Sequence, residues 1–171
     1  MTAPSFTKQI LVAGVGNAWL QDDAFGGECA RRLEAAGAPD GVTVMDFGTG
    51  GLDLAYELMR GYDGLVLLDA SRQGGEPGTL YVLEPELSDY APSIEDGEMI
   101  DPHHMDPSTV LRFVAAVGGF SGKVVVIGCE PGEVDEVGLG LTPPVEAAVE
   151  RALALVGETI AELRTNAAYG S

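Results

Sequence analysis

The residues best suited to chemistry in this sequence are three aspartates, each at or after the end of a short apolar segment. Asp46 and Asp69 lie at the ends of two such segments, and Asp23 follows another across an intervening loop. In a parallel sheet, strands that run the same way end at one edge, and ligands usually bind in the crevice outside it. The order of the chain therefore predicts that these three carboxylates gather at one sheet edge.

Carboxylates at such an edge require partners, because an unpaired charge in a dry site is unfavourable. A shared cation would satisfy several of them together. Each acid taken alone favours a local role instead. Asp46 or Asp69 would then accept N–H bonds from its following loop, and Asp22 or Asp23 would cap a helix.

Both histidines of the chain, His103 and His104, lie in an acidic, proline-bearing stretch that covers residues 84–106. Stretches of this length without a clear period are usually functional or mobile loops. A neutral imidazole beside two carboxylates makes a ligand set suited to nickel, zinc or another divalent transition metal, with coordination positions left open. The alternative is an exposed pair that titrates freely, and spacing alone does not choose between the two.

Two glycine-rich motifs have both a ligand-binding and a structural interpretation. The segment Gly14-Val15-Gly16-Asn17 begins like a dinucleotide-binding fingerprint, but Trp19 stands where the third glycine would allow close helix packing. The segment Gly48-Thr49-Gly50-Gly51 either presents backbone amides to a ligand or makes a tight turn before a helix. A nucleotide site is weakly supported, and the turn is the favoured interpretation of the second motif.

Apolar strands that alternate with helical patterns predict the scaffold that positions these residues. The predicted strands span 9–15, 42–47, 65–68, 79–83 and 123–127, and the predicted helices run from 24 to Gly37, over 52–59, over 107–116 and from 143 to about 164. This spacing implies a three-layer α/β fold, with a mainly parallel, twisted sheet flanked by helices on both faces. Strand 79–83 is expected to be antiparallel, because its connection is too short for a helix.

Composition narrows the class of protein further. With 171 residues the chain is expected to form one domain spanning 1–171. Its net charge of -18, with nine Lys and Arg, excludes affinity for a nucleic-acid backbone. No apolar run approaches the roughly 18 residues of a membrane span, so we expect a cytoplasmic monomer without a membrane partner. Cys29 and Cys129 are expected to be buried thiols rather than a disulfide.

The motifs, taken in order, resemble those of the nickel-iron hydrogenase maturation proteases over nearly the whole chain. The matching segments are Gly14-Val15-Gly16-Asn17, Asp22-Asp23 with Gly26, Asp46-Phe47-Gly48-Thr49-Gly50-Gly51, Leu68-Asp69-Ala70, Pro77-Gly78-Thr79, His103, Gly128 with Glu130-Pro131, and Gly140-Leu141-Thr142-Pro143-Pro144-Val145. Each motif alone is weak, whereas their ordered sequence is specific.

This resemblance implies an endopeptidase that removes the C-terminal extension of a hydrogenase large-subunit precursor after nickel insertion. The nickel would arrive with the substrate, and another divalent cation could occupy the site in vitro. The resemblance assigns the nickel ligands and catalytic residues as Asp23, Asp69 and His103, and His104 is an alternative to His103. It also implies that the substrate's extension binds the loop after the second strand, at Asp46, Gly48, Thr49 and Gly50.

Two other functions use the same features differently. A non-catalytic nickel-binding chaperone for metalloenzyme assembly would use the three ligands without cutting its partner. A nucleotide-binding α/β domain would use Gly14 and Gly16. No nucleophilic side chain is expected, because Cys29 and Cys129 have no evident histidine partner and no serine occurs in a nucleophile-elbow pattern.

Overall fold

The computed structural model describes residues 8–90 and 107–166, which form a five-stranded sheet with helices on both faces. The strands are β1 (Ile10–Val15), β2 (Val42–Gly48), β3 (Gly64–Ala70), β4 (Leu80–Leu83) and β5 (Lys123–Cys129). The helices are α1 (Phe25–Ala36), α2 (Gly51–Leu58), α3 (Pro107–Val117) and α4 (Pro143–Asn166), and short 3-10 turns cover Gln21–Ala24 and Leu87–Tyr90. Each predicted element is present, with ends shifted by up to two residues.

The strand order across the sheet is β2-β1-β3-β5-β4. The first four strands of this order are parallel, and β4 runs antiparallel to β5 at the edge. The predictions of a mainly parallel sheet and of one antiparallel strand are therefore confirmed. The position beside β3 is occupied by β5, which follows β4 in the chain. β4 therefore lies at the edge of the sheet, next to β5, and its residues Val82 and Leu83 are exposed.

Two apolar layers enclose the sheet, as the three-layer prediction requires. On one face, alternate residues of the central strands, such as Val12, Val66 and Ile127, pack against α1 and α4. On the other face, residues such as Leu67 and Val126 pack against α2 and α3. Strands buried on both faces need continuous apolar sequences, which is why β1, β3 and β5 were evident from the sequence.

The two cysteines belong to the layer between the sheet and the α1–α4 pair. Cys29 and Cys129 are both buried free thiols, in agreement with the prediction. Burial raises the pKa of Cys29 to about 12 and that of Cys129 to about 11. Within the described ranges, no helix is both long and apolar enough to cross a bilayer.

Candidate functional site

The connection between β1 and α1 is held against the sheet edge by glycines. A Cβ atom on Gly14 would lie 2.2 Å from the carbonyl oxygen of Gly26, and a Cβ on Gly26 would lie 2.2 Å from the carbonyl oxygen of Leu68. Gly16 has a φ of +134°, and its Cβ would lie 1.9 Å from the carbonyl oxygen of Asp23. Because no larger residue fits, the start of α1 rests directly on β1 and β3 and carries Asp23 to their carboxyl ends.

Asp23 is half-buried at this edge, and the backbone N–H of Asn17 donates to its Oδ2 atom at 2.7 Å. It lines a cavity of about 570 Å³, which we call the Asp23 cavity. The loop after β3, from Ala70 to Gln73, forms a second wall of this cavity, and α3 contributes Leu111. The carboxylate of Asp23 therefore reaches an open space at the sheet edge, which Asp135 also lines.

Asp69 is fully buried near the end of β3, opposite Gly128 of β5. Side chains alternate between the faces of a strand, so Asp69 shares the face of Leu65 and Leu67, which pack towards α2 and α3. The Asp23 cavity is lined by Val126 from this same face. Asp69 is thus buried on the same side of the sheet as the Asp23 cavity, although it does not line that cavity.

His103 and His104 lie outside the described residues. Within 8–90 and 107–166, no group of three or more His, Cys, Asp or Glu side chains is arranged to hold a metal ion. The described residues on either side of the gap, Tyr90 and Pro107, both line the Asp23 cavity. The assignment of a histidine as the third ligand therefore stays a prediction.

Asp46 lies at the same carboxyl edge of the sheet, as predicted, but it does not line the Asp23 cavity. It is exposed, and the backbone N–H of Gly48 donates to its Oδ1 atom at 2.9 Å. Asp46 also lies on the α1 face, where a Cβ on Gly27 would meet its carboxylate at 2.9 Å. Asp69 points to the opposite face, and this difference in strand alternation separates the two side chains.

A second cavity, of about 730 Å³, lies on the α1 side of the edge and is lined by Asp46, Gly48 and Thr49. We call it the Asp46 cavity. Gly50 instead precedes α2, and its N–H donates to the carbonyl oxygen of Phe47 at 2.8 Å. Since the N–H groups of Gly48 and Gly50 are both used within the loop, the motif makes a tight turn, as the structural interpretation predicted.

Asp22 is a positioning residue that the sequence did not reveal. Its carboxylate is fully buried and accepts the backbone N–H groups of Gly132 and Glu133 at Oδ2, at 2.7 and 2.9 Å. Thr142 donates its N–H to Oδ1 and its hydroxyl to Oδ2, both at 2.7 Å. Asp22 therefore ties the 131–142 loop to the 3-10 turn that carries Asp23, and it does not cap α1, whose start has no side-chain cap.

Glu130 fixes the opposite wall of the Asp23 cavity. Its buried carboxylate accepts the N–H groups of Gln73 and Gly75 at 2.8 and 2.9 Å and the hydroxyl of Tyr81 at 2.8 Å. Burial by itself raises the pKa of this carboxyl, but the donors outweigh burial and hold the pKa of Glu130 below its ordinary value. A charged Glu130 thus orders the loop that follows β3.

The glycines of the Gly14-Val15-Gly16-Asn17 motif have a packing role that argues against a nucleotide site. The space above them is filled by the backbone of Asp23 and Gly26. In addition, α1 begins at Phe25, after an intervening 3-10 turn, so no helix start follows the glycines directly. A dinucleotide fingerprint requires that helix N-terminus for the pyrophosphate.

The fold and the site together define a class of protein, namely an α/β enzyme with an acidic site at the carboxyl edge of its sheet. Comparison with known proteins agrees. A family model described as hydrogenase maturation protease matches residues 28–159. The hydrogenase 2 maturation protease of Escherichia coli (strain K12) is 37% identical over 147 residues, which cover 85% of this chain and 86% of that protein.

Another relative, the hydrogenase expression/formation protein HoxM of Azotobacter vinelandii, is 34% identical over 163 residues, which cover 95% of this chain and 75% of HoxM. Among solved structures, the hydrogenase maturating endopeptidase HybD from E. coli matches with a TM-score of 0.69 and 31% identity, over 90% of this chain and 93% of HybD. The chain therefore belongs to the hydrogenase maturation protease family, and it is an endopeptidase.

Proposed function

We propose that this endopeptidase removes the C-terminal extension from the large-subunit precursor of a nickel-iron hydrogenase after nickel insertion, and that it binds the substrate's nickel through Asp23, Asp69 and His103. The observation that supports this assignment is that Asp23 and Asp69 lie at the same carboxyl edge of the sheet, on the side of the Asp23 cavity. Asp23 lines the cavity, and the buried Asp69 shares the strand face that the cavity opens onto. Two carboxylates and an imidazole form a suitable ligand set for divalent nickel.

The position of His103 in the chain is compatible with this role. It precedes Pro107, which lines the Asp23 cavity, by four residues. Four residues span at most about 14 Å when fully extended, so an imidazole at this position has the reach to approach the cavity. His104 is the alternative ligand.

In this mechanism the precursor's nickel joins substrate and enzyme, because the three side chains leave coordination positions for ligands from the substrate and for water. Asp23, Asp69 and His103 would hold this ion near the scissile bond, where it would supply Lewis-acid chemistry to the carbonyl or to a water molecule. The enzyme needs no nucleophilic side chain. Another divalent cation would occupy the same ligands in vitro. We further propose that the enzyme acts as a monomer in the cytoplasm, with no nucleic-acid or membrane partner.

The test is cleavage of a purified nickel-loaded precursor, measured as loss of mass from the large subunit. Asp23→Asn, Asp69→Asn and His103→Ala should each slow processing by more than about 100-fold, the upper end for residues that only support metal ligands. Asp23→Asn is informative because an amide oxygen still accepts the N–H of Asn17. The matched control is Asp40→Asn, at an exposed acid in the connection that enters the opposite end of β2.

Several outcomes would contradict the assignment. If any of the three variants processed the precursor at the wild-type rate, the substituted residue would not be part of the site. If nickel-free and nickel-loaded precursor were processed equally fast, the enzyme would not recognise the metal. Binding of the precursor without any mass loss from the wild-type enzyme would instead favour the nickel-binding chaperone.

We also propose that the Asp46 cavity holds the substrate's extension. Asp46, Gly48 and Thr49 line it, and Thr49 is exposed. Thr49→Tyr should raise KM for the precursor, whereas Leu52→Tyr, at an exposed position of α2 outside the cavity lining, should not. Substitution of Gly50 is a poorer test, because a Cβ there would lie 2.8 Å from the carboxylate of Asp53 and disturb the start of α2.

A further inference from the structure

Three large apolar side chains stand in solvent beside the two cavities. Trp19 is 64% exposed, Val137 is 80% exposed and Leu139 is 74% exposed. We call these three residues the Trp19 patch. Trp19 and Leu139 also line the Asp46 cavity, so the patch is continuous with a cavity at the candidate site. Adjacent exposed apolar side chains of this size are characteristic of protein interaction sites.

The backbone holds the patch in one arrangement. Leu20 and Gly138 form a parallel β-bridge, in which Gln21 donates its N–H to the carbonyl oxygen of Gly138, and Gly138 donates its own to that of Trp19. Trp19, Val137 and Leu139 are next to the bridged residues in the chain, so the bridge fixes the backbone on which these exposed side chains stand. A Cβ on Gly138 would lie 3.0 Å from the side chain of Gln21, which leaves little room for a larger residue.

The 131–142 loop that carries two of the patch residues is also anchored from below. The buried carboxylate of Asp22 accepts hydrogen bonds from both ends of this loop, at Gly132 and at Thr142. An exposed apolar surface on a pre-ordered loop loses little conformational entropy when a partner binds. The patch is therefore organised for binding before any partner arrives.

Charge identifies the kind of partner. The 131–142 loop contains three acids, Glu133, Asp135 and Glu136, and no Lys or Arg, within a chain of net charge -18. Asp135 is paired with Arg72 at 3.0 Å, and Glu136, which is exposed beside Val137, is the acid nearest to the patch in the chain. A complementary surface would present an apolar depression bordered by Lys and Arg side chains.

We propose that the Trp19 patch binds the folded body of the precursor, at a surface that is apolar in its centre and basic at its rim. This inference rests on the proposed function and deepens it, because it assigns recognition of the protein substrate to a surface outside the metal ligands. A patch that borders the Asp46 cavity would hold the body of the substrate while its extension enters the cavity. Trp is also among the residue types that dominate binding energy at protein interfaces.

The test measures precursor affinity by biolayer interferometry in an Asp23→Asn background, in which we expect cleavage to be more than about 100-fold slower. A variant with Trp19→Ser, Val137→Ser and Leu139→Ser should bind the precursor at least about 30-fold more weakly. In the otherwise unaltered enzyme, the same changes should raise KM with little change in kcat. The matched control carries Tyr56→Ser and Met59→Ser, which remove two similarly exposed apolar side chains from the α2 region.

Glu136→Lys tests the charge of the partner separately. It should slow association several-fold at low salt, and the effect should fade as ionic strength rises. An unchanged association rate would contradict the proposal that the partner's surface has a basic rim. Unchanged affinity and KM in the patch variant, with the melting temperature preserved, would overturn the docking surface. Conversion of a wild-type dimer to monomers by the patch substitutions would overturn it as well, since a second copy would then be the occupant.

Failure of this inference is distinguishable from failure of the proposed function. If the wild-type enzyme cleaves the nickel-loaded precursor and the patch variant cleaves it with the same kcat/KM, only the docking surface is wrong. If the wild-type enzyme leaves the precursor intact, the proposed function itself fails, whatever the affinity of the patch variant.

Discussion

Removal of the Asp22 carboxylate should destabilise the fold more than removal of any exposed acid. Asp22→Ala leaves three backbone N–H groups and one hydroxyl without their acceptor, in Gly132, Glu133 and Thr142. A buried donor that loses its partner costs about 1–3 kcal/mol. Four such donors sum to about 4–12 kcal/mol, but Gly132 is exposed and water reaches part of the loop, so the sum overestimates the loss.

We therefore expect Asp22→Ala to lower the free energy of unfolding by about 3–5 kcal/mol, near the lower end of that sum, because only neutral donors are left without an acceptor. Asp22→Asn should cost about 1–3 kcal/mol. An amide oxygen in place of Oδ2 keeps three of the four donors, while the amide nitrogen then opposes the N–H of Thr142. A smaller loss of stability in Asp22→Asn than in Asp22→Ala would show that the hydrogen bonds, and not only the burial of the side chain, stabilise the fold.

Urea titration at pH 7 gives these free energies, and Asp46→Ala is the matched control. Asp46 is exposed and makes one local hydrogen bond, so its removal should change stability by no more than about 0.5 kcal/mol. A loss below about 1 kcal/mol for Asp22→Ala would refute the anchoring role. Folded Asp22→Ala protein should also process the precursor more slowly, because the turn that carries Asp23 loses its attachment to the 131–142 loop.

Three further predictions follow from buried groups and close glycine contacts. The pKa of Glu130 is held low in the folded protein, so the stability that Glu130→Gln forfeits should be constant from pH 7 to about 5 and shrink below about pH 4.5, in urea titrations at each pH. Cys29 and Cys129 should not react with a disulfide reagent at pH 8 until the protein unfolds, because burial raises both pKa values. Gly26→Ala should destabilise by at least about 2 kcal/mol, since its Cβ would collide with backbone atoms, whereas Gly157→Ala, in open space within α4, should stabilise by about 0.5–1 kcal/mol in thermal melts.

Much of the sheet could be predicted because its central strands are buried on both faces and therefore read as continuous apolar segments. At the carboxyl edge of the sheet, the predicted ends of β3 and β5 lie two residues before the observed ends. The ladder between β3 and β5 continues through Asp69 and Gly128 to Ala70 and Cys129. Backbone hydrogen bonds hold these last residues in the sheet whatever their side chains, so the apolar pattern stops before the strand does.

The candidate site was harder to predict than the fold. Chain order correctly sends Asp23 and Asp69 to the carboxyl edge, but it says nothing of which face each side chain takes. Asp46 reaches the same edge, but it lies on the α1 face of the outermost parallel strand and lines the other cavity. Asp22 and Glu130 were missed because their partners are largely backbone N–H groups of distant loops, which leave no pattern in the sequence.

The adjacent acids Asp22 and Asp23 divide structure and chemistry between them because they lie in a 3-10 turn. With three residues per turn, consecutive side chains differ in direction by about 120°. One carboxylate can then point into the 131–142 loop while the next receives the N–H of Asn17 at the Asp23 cavity. The segment from Trp19 to Asp23 thus joins the docking patch, the loop anchor and a proposed nickel ligand within five residues. Removal of the Asp22 carboxylate should therefore disturb both the patch and the proposed nickel ligand, whereas the exposed side chain of Trp19 can be replaced without moving the backbone.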